Sequence, residues 1–171
     1  VIMRHANGNR FSVRLVDASG VQAAKSFNLG GYVDNSTWTK ANYLKLSLDQ
    51  SLLIHPIGPA SLGSYDSVVE IYDFDNATGT ISGPKLTIDG FSYAYAAELS
   101  ADNRLMYVSD ISTQGTSYIY QFNLGLGSAQ AIKASKTQLV SSSRYDYGAL
   151  QTGPDGRIYA AKEDGYNFGA T

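Results

Sequence analysis

Two histidines, thirteen lysines and arginines, fifteen carboxylates and no cysteine are the chain's stock for acid–base, metal or nucleophilic chemistry. Without a thiol there is no thiolate nucleophile, no thiolate metal site and no disulfide framework. His5 and His55 each read as the end of a strand, where both could face one rim of a closed ring. A metal pair needs a third ligand, however, and neither a His-x-His nor a Glu-flanked spacing occurs. Asp73, Asp75, Asn76 and Gly79 outline a calcium loop, yet the EF-hand ligand order and its closing Glu are missing. The better reading is an Asx turn at a hairpin. No Gly-x-Ser-x-Gly, phosphate-binding loop or dinucleotide-binding glycine pattern opens a helix, and Gly125-Leu126-Gly127 reads as a turn. The expectation is therefore no catalytic residue, no metal and no cofactor.

The elements that position these residues repeat. Leu46-Ser47-Leu48-Asp49-Gln50-Ser51-Leu52-Leu53-Ile54 matches Leu99-Ser100-Ala101-Asp102-Asn103-Arg104-Leu105-Met106-Tyr107, and both match Thr152-Gly153-Pro154-Asp155-Gly156-Arg157-Ile158-Tyr159-Ala160. Each segment reads as a strand, a tight Asp-containing turn and a second apolar strand, which is a β-hairpin. A second strand pair follows each hairpin: Val68 to Asp75 then Ile81 to Ile88, and Ser117 to Leu124 then Gly127 to Leu139. Four short strands per unit of about 50 residues is the spacing of β-propeller blades. The expected fold is all-β, about three blades' worth of a longer propeller, as one domain over 1–171. Its blades are a partial one at about 1–41, full ones at 42–92 and 93–144, and a partial one at 145–171. A complete β-sandwich is the alternative, but a sandwich has no reason to repeat at this spacing.

Composition agrees. The 171 residues carry only 16% charged side chains, with Gly at 17 and Tyr at 13, a diet for strands and turns rather than helices. A net charge of -2 with scattered basic residues lacks the footprint for nucleic acid or an anionic membrane. Apolar runs of four or five residues are too short to span a bilayer, and no signal-peptide pattern is visible.

Residues 44–54, 97–108 and 150–161 resemble the hairpin of WD40-like and lactonase-like propellers, built on Leu-Ser-Pro-Asp-Gly-(Ser/Arg)-Leu-Tyr-Val. Leu48-Asp49-Gln50 and Ala101-Asp102-Asn103 depart from it by lacking the Pro and Gly. Val69 to Gly79, Ile119 to Leu124 and Gly148 to Tyr159 further resemble propeller domains of secreted Bacteroidota surface proteins, in which PKD modules and a type IX secretion sorting domain often follow. That resemblance implies an exported, outer-membrane-associated, adhesin-like scaffold or recognition module without catalysis. A lactonase-like hydrolase and a glycan-binding lectin are the alternatives.

In such a fold the innermost strand of each blade lines the channel. Lys45, Glu98 and Gln151 precede Leu46, Leu99 and Thr152 at equivalent positions, so a ring of polar residues is expected, with Lys45 and Glu98 as partly hydrated neighbours worth about 0–1 kcal/mol. The blade-to-blade connections hold Tyr32, Trp38, Phe91, Tyr93, Arg144, Tyr145 and Tyr147. Aromatic faces beside polar groups at a rim suit a protein or glycan partner. Further blades and domains of the same chain are the other expected partners.

Overall fold

The computed structural model describes residues 1–33, 44–59, 66–112, 115–143 and 147–162. Strands β1 (Ile2–Arg4), β2 (Gly8–Val13) and β5 (Lys25–Val33) form the first antiparallel sheet, with a small hairpin of β3 (Val16–Asp17) and β4 (Gly20–Val21) at one end. The second sheet has four strands in order: β6 (Lys45–Leu46), β7 (Leu52–Ile57), β8 (Ser67–Asp75) and β9 (Thr80–Phe91). The third repeats that order with β10 (Ala94–Leu99), β11 (Leu105–Ile111), β12 (Ser117–Asn123) and β13 (Thr137–Ser142). A fourth holds β14 (Tyr147–Thr152) and β15 (Ile158–Lys162).

Strict alternation places one side chain of each pair on either face, so each middle sheet serves two interfaces. On β8, Tyr72 and Phe74 pack with Phe11, Val13 and Leu53 against the first sheet. Val69 and Ile71 turn the other way and join Ile54, Leu99, Met106, Val108 and Phe122 against the third. A smaller cluster of Ala96, Ile119 and Leu150 joins the third sheet to the fourth. Leu99 is 3% exposed, so Leu99→Ala is expected to cost about 2–5 kcal/mol in urea denaturation, through lost burial and the cavity left behind.

The hairpins turn through a left-handed residue: Gln50 at φ 59°, Asn103 at φ 57° and Gly156 at φ 75°. They are not identical. Leu46 pairs with Leu53 and Leu99 with Met106, whereas Thr152 pairs with Ile158, one residue short of its repeat equivalent. Ser47 and Ser100 explain the difference. Their hydroxyls accept the backbone N–H of Leu52 and Leu105, both at 2.9 Å. Gly153 has no hydroxyl, and its N–H donates to the Arg157 carbonyl at 2.8 Å, one residue nearer than the Leu52 and Leu105 carbonyls that the Ser47 and Ser100 N–H groups reach. On β15, Ile158 is half-buried beside Leu150, while Ala160, alike to the buried Ile54 in the repeat, is exposed.

The segment read as one strand from Gly127 to Leu139 instead holds a short helix, α1 (Ala129–Ala134), before β13. Ser128 caps it, its Oγ accepting the Ala131 N–H at 3.2 Å, and Ile132 is its buried residue. The Ala-Gln-Ala-Ile-Lys-Ala run carries the highest local helix propensity in a strand-rich chain.

Candidate functional site: the polar row on the innermost strands

Lys45, Glu98 and Gln151 lie on β6, β10 and β14, the innermost strands of three successive sheets, and their side chains meet. The Lys45 ammonium sits 2.6 Å from Glu98 Oε2 and donates to Gln151 Oε1 at 3.2 Å. Glu98 Oε2 also accepts the Thr152 N–H at 2.9 Å, and Oε1 accepts the Leu99 N–H at 3.1 Å. The Glu98 side chain is 4% exposed against 19% for Lys45. The expected partly hydrated pair is therefore a nearly dry one. The cause is the neighbouring strand, whose amide closes over the carboxylate.

A lower contact ties the same sheets together. Asp49 Oδ1 accepts the Ser47 and Ser51 hydroxyls at 2.6 and 2.8 Å, and Oδ2 accepts Asn103 Nδ2 of the next hairpin at 2.8 Å. These bonds to the charged form hold the Asp49 carboxyl well below its ordinary range.

The aromatic candidates divide. Tyr32, near the end of β5, is exposed, and its hydroxyl donates to Asn7 Oδ1. Phe91 and Tyr93 are not rim contacts. Phe91 is wholly buried with its ring edge-on to Phe122 at 5.8 Å, and Tyr93 is buried edge-on to Tyr95 at 5.9 Å. The connection is only Ser92 and Tyr93, because β9 runs to Phe91 and β10 begins at Ala94. Tyr147 opens β14, half-buried, with its N–H donating to Ser117 Oγ at 3.2 Å. Trp38, Arg144 and Tyr145 lie outside the described residues.

The histidines sit in different surroundings. His5 Nε2 lies 2.6 Å from Ser12 Oγ, while an Arg10 guanidinium N–H donates to His5 Nδ1 at 3.1 Å. With Nδ1 accepting, the proton of a neutral ring is on Nε2 and points at the hydroxyl. That tautomer cannot take a proton from Ser12, so the pair is no nucleophile and base. Asp75 accepts the Ala77 N–H at 2.9 Å and the Thr78 hydroxyl at 2.6 Å, the Asx turn expected of it, and Asp73 pairs with Lys85 at 2.7 Å. Among the described residues, no three His, Asp or Glu side chains converge as a metal site would need.

One polar cluster lies outside the repeat pattern. Between the first and second sheets, Glu70 accepts the Gly31 N–H at 2.8 Å and the Tyr72 hydroxyl, while Arg4 donates to the carbonyls of Leu29 and Gly31. Arg4 also lies over the Phe11 ring at 4.4 Å, and His55, 3% exposed, meets the same ring edge-on at 5.9 Å. The only signal was Glu70 itself, a rare Glu inside the apolar run Val69 to Tyr72. Burial, with Arg4 adding repulsion, holds the His55 imidazole down to about 3. An unfolded His titrates near 6.5, so on acidification the unfolded chain takes up the proton first. The stability this neutral ring supplies is intact above pH 6.5 and drains away as pH falls towards 3. Urea denaturation should show a loss of about 2 kcal/mol between pH 7 and pH 5, with His55→Gln removing that share of the slope.

No family model matches the chain, and no curated protein matches it in sequence. Solved structures do match in shape. One is the periplasmic gluconolactonase PpgL of Pseudomonas aeruginosa, at TM-score 0.55 and 17% identity over 88% of this chain and 42% of that one. Another, from Bacteroides uniformis, is assigned as a 6-phosphogluconolactonase and matches at TM-score 0.51 and 13% identity, over 92% of this chain and 42% of that one. The chain thus spans under half the length of these two neighbours. At such identities the likeness is one of fold alone, an all-β arrangement of β-propeller type.

Proposed function

We propose that the chain supplies successive blades of a lactonase-like hydrolase propeller, with a sugar lactone as the substrate class. The observation that carries this reading is the polar row of Lys45, Glu98 and Gln151 on adjacent innermost strands, in a fold whose neighbours include a gluconolactonase. Lactone hydrolysis adds water to the ring carbonyl, passes through an oxyanion and breaks the ring C–O bond to give a hydroxy acid. A cation held at a fixed place stabilises that oxyanion. Lys45, the least enclosed member of the pair, suits this task, and Glu98 is a positioning residue that holds its ammonium between two blades.

The test is hydrolysis of glucono-δ-lactone by the intact protein, corrected for the spontaneous rate. The reading expects a clear acceleration, reduced by about 10²-fold or more in Lys45→Met, in line with loss of one oxyanion-stabilising group, at a temperature where the variant remains folded. A wild-type rate equal to that of buffer would overturn it.

A second reading has its own support: both Glu98 oxygens are already occupied, by Lys45 and by two backbone amides. A row so self-satisfied also suits a non-catalytic recognition module, of the secreted surface kind implied by the resemblance in the repeats, with a protein or glycan bound near the exposed Tyr32. Binding of an oligosaccharide without turnover of any lactone would favour it.

A further inference from the structure

The third sheet carries a feature that the second lacks. Strands β8 and β9 are joined by the turn 76–79, whereas β12 and β13 are joined by 124–136, which include α1. This longer connection folds back against the second sheet, where Ile132, the buried residue of α1, joins the cluster of Ile71, Leu86 and Leu99. It leaves a pocket of about 350 Å³ between itself and that sheet. Leu52, Ile71 and Leu86 line one side, and Leu124, Leu126 and Ile132 the other. Leu126 is exposed, so the pocket opens to solvent.

Three polar side chains complete the lining, and two are already engaged. The Lys85 ammonium is paired with Asp73 at 2.7 Å, and Ser128 Oγ accepts the Ala131 N–H as the cap of α1. The third is Asn103. Its Nδ2 donates to Asp49 Oδ2 at 2.8 Å, and a carboxylate that only accepts fixes which end of the amide faces it. Asn103 Oδ1 is buried and has no hydrogen-bond partner among the described residues. A buried acceptor left unmet calls for a donor. Because the one cation of the lining is already paired, that donor needs no charge of its own.

We propose that this pocket binds a neutral, flat apolar molecule carrying a single N–H or O–H donor, which Asn103 Oδ1 receives. An apolar cavity of about 150 Å³ holds one benzene ring, so this one takes two fused rings. The apolar walls supply the affinity, and the lone acceptor the selectivity. None of Lys45, Glu98 and Gln151 lines it, so the site neither requires nor predicts lactone hydrolysis.

The experiment titrates indole into the intact protein, with benzofuran beside it. Benzofuran has the same size and shape but puts an acceptor where indole has its N–H. Methyl NMR shifts of Ile71, Leu86 and Ile132 report the pocket, and those of Val13 and Leu53 the interface with the first sheet. Indole is expected to saturate the first set below millimolar concentration, and benzofuran to bind about tenfold more weakly, the usual share of one buried hydrogen bond. Asn103→Gly is expected to bind the two alike. It removes the amide and keeps the turn, because Gly156 holds the matching place at φ 75° in the next hairpin. No saturable shift at millimolar indole overturns the proposal, as do equal affinities in the wild type or shifts confined to Val13 and Leu53. A preference for indole that survives in Asn103→Gly also overturns it. If that variant does not fold, the two probes on the wild type decide.

Discussion

Glu98→Ala lowers the unfolding free energy by about 3 kcal/mol or more, the loss expected when one partner of a buried ion pair is removed. The reason lies in what remains behind. Lys45 keeps a largely enclosed ammonium with Gln151 left to receive it, and the Thr152 N–H loses its acceptor. Glu98→Gln costs less, about 1–3 kcal/mol, because an amide oxygen in the place of Oε2 can still accept from Thr152 and Lys45, while its NH₂ is left facing the Leu99 N–H. Equilibrium urea denaturation measures both. These losses replace the expectation, drawn from the repeat alone, of a partly hydrated pair worth about 0–1 kcal/mol. The repeat gives the position of Glu98 but not the closeness of the next strand, which decides its hydration.

Gly30→Ala is the second large effect, expected at about 3–5 kcal/mol as a left-handed strain and a steric one combined. Gly30 has φ 74°, where an L side chain is already strained. A Cβ there would stand 1.8 Å from the Tyr72 hydroxyl and 2.4 Å from Glu70 Oε2. Neither group can retreat cheaply, since Tyr72 is wholly buried and Glu70 holds the Gly31 N–H. Gly20→Ala is the control: φ is 108° there, but nothing lies within 4 Å, so only backbone strain is added. A melt in which both variants fall equally would deny the close approach of β5 to the Glu70–Tyr72 pair.

Much of the architecture can be read from one regularity. Three Asp turns recurring every 53 residues mark the hairpins, and a strand's period of two then separates Val69 and Ile71 from Tyr72 and Phe74. The same offset brings Lys45, Glu98 and Gln151 together, because residues alike in each repeat must become neighbours when the repeats pack side by side. What could not be read depends on single atoms or on distant chain. The Gly153 turn, which lacks the hydroxyl of Ser47 and Ser100, is one residue shorter, and no alignment of hairpins anticipates the pairing of Thr152 with Ile158. Phe91 and Tyr93 looked like loop residues because Gly90 punctuates the run, yet the strand continues past Gly90 at φ 84°. The Arg4–Glu70–His55 cluster assembles from two sheets with no shared motif, so only the packing discloses it.

A double-mutant cycle on Lys45 and Glu98 tests most directly that these repeats stand side by side with their inner strands in contact. The two residues are separated by a whole repeat, so any coupling must pass through space between neighbouring sheets. Unfolding free energies of the wild type, Lys45→Met, Glu98→Gln and the double variant give it. The packing described here predicts a coupling above about 1 kcal/mol, as for partners in one buried network. A coupling within about 0.3 kcal/mol of zero, the additivity of distant sites, would contradict it.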